Sequence, residues 1–77
     1  MYRARTVVML PSGQRLYGKT GDPITMDQYN EGCKSLKDLL PNLSYFELTL
    51  NDDDITKAYI PKQAINNSVI ILELIEE

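Results

Sequence analysis

Histidine is missing from this sequence, and cysteine occurs once, at position 33. The first absence removes the side chain that most often serves as general acid, general base or metal ligand near neutral pH. The second excludes an internal disulfide and a cysteine-rich zinc knuckle, which fits a reducing compartment. Cys33 then reads as a small apolar residue with no base to activate it. Long apolar runs are also lacking. Val7 to Leu10 is too short for the core of a signal peptide and far too short to span a membrane. The expectation is a soluble, cytoplasmic protein with no membrane partner. Phosphate-loop chemistry is absent too, because Gly18-Lys19-Thr20 has no upstream P-loop glycine. Asp52-Asp53-Asp54 lacks the glycine and distal glutamate of an EF-hand loop and reads as a solvated turn. Asn42-Leu43-Ser44 and Asn66-Asn67-Ser68 match the glycosylation sequon, which means nothing in a cytoplasmic chain. With no catalytic constellation, cofactor motif or metal cluster, the residues point to a binding module and not to an enzyme.

What is present fits one domain, residues 1–77, near the lower size at which a core holds a fold without disulfides or a metal. A chain this small gains stability from assembly. Its net charge of -3 is unevenly spread. Arg3, Arg5, Arg15 and Lys19 make the first twenty residues purely basic, whereas the acids gather in the remainder. One basic face on an acidic protein is therefore permitted.

Arg3 to Leu10 has strand composition, Pro11-Ser12-Gly13 has turn chemistry, and Gln14 to Lys19 resumes an extended pattern, which predicts a hairpin. Thr25-Met26-Asp27-Gln28 fits a capping box, so a helix should start at Met26. Met26, Tyr29, Cys33, Leu36 and Leu40 form one apolar stripe, Leu39 widens it, Gly32 weakens the helix, and Pro41 ends it. In Tyr45 to Leu50, alternation puts Phe46, Leu48 and Leu50 on one face of a strand. Asn51 to Asp54 reads as a turn and Ile55 to Ile60 as the next strand, ended by Pro61. The last strand, Ser68 to Ile75, is apolar on both faces: Ile70, Leu72 and Leu74 on one, Val69, Ile71 and Ile75 on the other.

The order strand, strand, helix, strand, strand, strand fits two folds. One is a small, strongly bent five-stranded barrel of the SH3-like kind, mainly β, with a helix inserted at about residues 23–42. The other is a β-grasp, a single sheet covered by the helix. Val8, Leu10, Gly13, Leu16 and Gly18 resemble, without a gap, the first motif of Sm-like proteins, and Asp22 lies near the acid that often follows it. Phe46-Glu47-Leu48-Thr49-Leu50-Asn51-Asp52 resembles the third strand of the Hfq-type RNA chaperones of that family. Tyr59-Ile60-Pro61-Lys62-Gln63-Ala64-Ile65 resembles the second Sm motif, a corner where one strand breaks and the chain turns back to the core. The resemblance lapses between Pro23 and Tyr45, where the family has only a short loop.

The resemblance implies a closed homo-oligomeric ring of about five to seven subunits, in which the fourth strand of one copy pairs with the fifth of the next. Val69, Ile71, Ile75 and Tyr59 are the interface residues it implies. It further implies binding of single-stranded RNA by Lys62 and Gln63, with Phe46 as the stacking aromatic, Tyr45 beside it, and Asp22 in the first-motif loop. Gln63 stands where the Hfq-type proteins have histidine, and the first-motif asparagine has no counterpart. The same residues have plainer readings. Phe46 fits a core position, Lys62 a solvated turn, and the second face of the last strand a surface covered by the helix stripe. An adaptor that binds protein through the helix or an open strand edge is the alternative function.

Overall fold

The structure, a computed structural model, describes residues 1–50 and 55–76. The turn and possible cation loop at Asn51 to Asp54 lie outside the described residues. Strand β1, Tyr2–Met9, turns back through Leu10 to Gln14 into the short strand β2, Arg15–Tyr17. Gly13 takes φ +92° in that turn, a conformation that side chains disfavour. Its amide donates to the Leu10 carbonyl at 2.9 Å, and the Leu10 amide donates to Gln14 at 2.8 Å.

Helix α1, Met26–Leu39, begins as the capping box requires. Thr25 Oγ1 accepts from the Gln28 amide at 3.2 Å, and Gln28 Oε1 accepts from the Thr25 amide at 2.9 Å. A 3-10 turn, Leu40–Asn42, takes up Pro41 and ends the helical segment. Strands β3, Tyr45–Thr49, and β4, Lys57–Pro61, follow. A single helical turn, α2, Lys62–Asn66, then leads into strand β5, Val69–Glu76.

The strands form two open antiparallel sheets, one ordered β2-β1-β5 and the other β3-β4. Register in the first runs from Tyr2 opposite Glu76 to Met9 opposite Val69. The sheets meet where the chain leaves β2. Gly18 donates its amide to Thr6 of β1 at 2.7 Å and bridges to Leu50, and the next amide, Lys19, donates to Thr49 at 2.8 Å. This handover explains why β2 is shorter than the extended run predicted through Lys19. A Cβ on Gly18 would stand 2.7 Å from Leu48 Cδ1 and 2.9 Å from the Thr6 carbonyl oxygen, so only glycine fits the junction as built.

The core lies between the sheets. Val8, Leu48, Ile60 and Ile65 are buried there, with Phe46, Ala64 and Ile70 packed against them. Alternation had predicted Leu48 inward, and the corner after Pro61 delivers Ala64 and Ile65 to the core as expected. Strand β4 starts two residues later than predicted, because Ile55 is exposed and falls outside the ladder. No residue of α1 is fully buried. Its Tyr29 and Gly32 face Leu72 of β5. The helix therefore packs on its own chain without covering Val69 and Ile71, which lie on the opposite face of β5 and stay exposed. No helix among the described residues is long and apolar enough to cross a membrane.

Candidate nucleic-acid interface

Antiparallel pairing of β3 with β4 sets Glu47 opposite Tyr59 and Tyr45 opposite Pro61. Tyr45 and Tyr59 thus become diagonal neighbours on the outer face of the two-stranded sheet. Their ring centroids lie 6.2 Å apart with planes tilted by 50°. Both are open to solvent, at 52% and 63% exposure. Two adjacent, accessible aromatic rings make a stacking platform, since every nucleic-acid base presents a flat π-face.

Cations flank the platform. Lys62 and Gln63 open α2 immediately after Pro61, and both are exposed. The Lys62 amide donates to the Ser44 carbonyl at 3.0 Å, tying this corner to the start of β3 beside Tyr45. Just past α2, the corner is braced by Asn67 Nδ2 donating to the Gln63 carbonyl at 3.0 Å and by Ser68 Oγ donating to the Ala64 carbonyl. Along the strand, Lys57 Nζ sits 3.4 Å from the Glu47 carboxylate and donates to Thr49 Oγ1 at 3.0 Å. Lys57 is therefore partly neutralised, leaving Lys62 as the cation nearest the rings in sequence.

The residues implied by family likeness divide into groups. Tyr45, Lys62 and Gln63 share one end of the two-stranded sheet. Phe46 points the other way, half-buried against the core, while Tyr59 takes the place beside Tyr45. Asp22 is exposed in a polar cleft of about 450 Å³ with Lys19, Thr20, Gly21 and Thr49. Thr49 and Tyr45 stand at opposite ends of β3, about 13 Å apart along the strand, so Asp22 does not join the platform. The Tyr45–Tyr59 pair was hidden in the sequence because it depends on the register of β3 against β4. The alternation in each strand was the only signal of it.

The expected interface residues also separate. Val69, Ile71 and Ile75 lie on the outer face of the three-stranded sheet, with Val69 at 55% exposure, whereas Tyr59 lies on the other sheet. Beside them Arg5 Nε contacts Glu73 Oε2 at 3.0 Å, and its guanidinium sits 4.8 Å from the Tyr17 ring centroid. The charge of Arg5, one of the four N-terminal basic residues, is thereby engaged within the chain. Among the described residues, no three His, Cys, Asp or Glu side chains gather to hold a metal ion.

Among the described residues, Tyr29 is the group whose pKa is displaced. Its phenol is raised above its ordinary pKa, first by the hydrogen bond with the Cys33 thiol and then by burial. It stays protonated through neutral pH and donates to the Leu72 carbonyl at 2.6 Å. The chain matches no known family model, no curated protein and no solved structure.

Proposed function

We propose that the chain is a cytoplasmic Sm-like protein that assembles into a homo-oligomeric ring and binds single-stranded RNA. The exposed Tyr45–Tyr59 pair beside Lys62 and Gln63 carries this reading, because stacking rings next to a cation suit unpaired bases and their phosphates. The path of the chain supports it as well. Read through the bridge at Gly18, the strands run β5-β1-β2-β3-β4, as in a bent Sm-like barrel, and leave β4 and β5 as outer strands. The accessible surface, 5334 Å², exceeds the roughly 4,800 Å² usual for a monomer of this mass, which favours assembly.

Titration of oligo-U and oligo-A across a salt series tests the reading. Binding should weaken steeply with salt, as phosphate-driven binding must. Tyr59→Ala should cost about 1–3 kcal/mol of affinity, the usual worth of one stacked base. Lys62→Ala should weaken binding to both oligomers alike and lower the salt slope by about one unit. No binding at low salt would overturn the RNA reading.

A second reading is favoured by one observation. Val69, Ile71 and Tyr17 stand exposed together on the outer face of the three-stranded sheet, an apolar surface suited to a protein partner. In that case the chain is an adaptor without nucleic-acid binding.

A further inference from the structure

The direction of carbonyls in β1 shows which edge of β5 the helix reaches. Gly18 and Gly21 donate their amides to Thr6 and Ala4, so the even-numbered residues of β1 turn their backbone groups away from β5. Leu72 lies opposite Thr6, and its carbonyl therefore points away from β1, out of the sheet edge that no strand covers among the described residues. Tyr29 of α1 donates its hydroxyl to that carbonyl at 2.6 Å. Three residues later the helix comes so close that a Cβ on Gly32 would stand 3.2 Å from Leu72 Cδ2. The helix nevertheless buries none of its own residues completely, and what fixes its start is its capping box and the pairing of Ile24 with Tyr2 of β1, neither of which involves β5. It occupies the edge while being lightly attached to it.

We propose that α1 is a removable guard of the β5 edge, and that the occupant displacing it is the β4 edge of a second copy of this chain. This rests on the ring reading above. Unpaired strand edges are normally covered or blunted, and a helix laid along one is a known way to do so. Strand β4 is the outer strand of the other sheet, so its edge is available to complement β5. Charge does not oppose the match: Lys62 stands beside β4 and Glu76 on β5, while Lys57 and Glu73 are already paired within the chain with Glu47 and Arg5. Edge pairing would replace one side-chain hydrogen bond at Leu72 with a ladder reaching along β5.

Sedimentation velocity over a concentration series tests the guard with the wild-type chain, Tyr29→Phe and Gly32→Leu, each checked for folding by circular dichroism. Removing the tyrosine hydroxyl deletes one neutral hydrogen bond, so Tyr29→Phe should assemble at about five-fold lower concentration than wild type. Gly32→Leu, whose Cβ alone would crowd Leu72 Cδ2 at 3.2 Å, should shift assembly in the same direction. If Gly32→Leu does not fold, Tyr29→Phe alone decides. Equal assembly of wild type and variants would overturn the guard and leave the ring standing. Weaker assembly of the variants would overturn it too, since α1 would then belong to the interface. If neither wild type nor variant assembles, the ring reading falls and the guard falls with it.

Discussion

Gly18 has a neighbour on each side that a methyl group would strike, and the two differ in how they can yield. Leu48 Cδ1, at 2.7 Å, ends a side chain that can move within a packed core, but the Thr6 carbonyl, at 2.9 Å, is backbone held in the ladder. Gly18→Ala should therefore destabilise the fold by about 1–3 kcal/mol, the range for overpacking, read as a lower urea midpoint. Tyr29 makes a prediction in pH. Its folded pKa lies above its unfolded value, so the folded state holds the proton more tightly. The stabilisation is complete below the unfolded value of about 10 and is lost as pH rises from there through the folded pKa. Stability measured across alkaline pH should fall more for wild type than for Tyr29→Phe.

At the scale of elements, α1 is held more by its own ends than by what it covers. Its capping box satisfies two amides at the start, and its stripe leaves Met26 at 40% and Leu39 at 50% exposure. Thr25→Ala should cost about 1 kcal/mol and reduce the helical signal before the sheets melt, followed by circular dichroism on heating. The helix start was legible in the sequence because a capping box is local chemistry, complete within four residues. The face of β3 was legible for the same reason: period-two alternation put Phe46 and Leu48 on one side, and that side turns to the core. Partners across elements were not. That α1 would meet Leu72 and not cover Val69 and Ile71, or that Tyr59 would replace Phe46 beside Tyr45, depends on registers spanning tens of residues. Apolar residues on both faces of β5 gave no sign of which one the helix takes.

For the whole molecule, the buried apolar residues among those described are few: Val7, Val8, Leu48, Ile60 and Ile65. A single core in so small a domain rarely supplies more than about 3–5 kcal/mol. Leu48→Ala, at about 2–5 kcal/mol, should then leave most molecules unfolded at room temperature, visible as loss of the cooperative thermal transition. Assembly adds a further signature. If copies bind only in the folded state, the melting temperature must rise with protein concentration, whereas a monomer melts at one temperature throughout.

The longest ladder in the fold, β1 against β5, aligns Tyr2 with Glu76 and so closes nearly the whole chain into one loop. Helix α1 and the β3-β4 hairpin involve near neighbours and can form early, while this ladder must wait for distant segments to meet. Closing a loop of that length costs roughly 4 kcal/mol in chain entropy, much of it ahead of the contacts that offset it. Because those two residues sit side by side, a short linker joining the ends, with new ends opened in the exposed turn at Pro11 to Gly13, would make the slow step local. Such a circular permutant should refold faster than the parent chain.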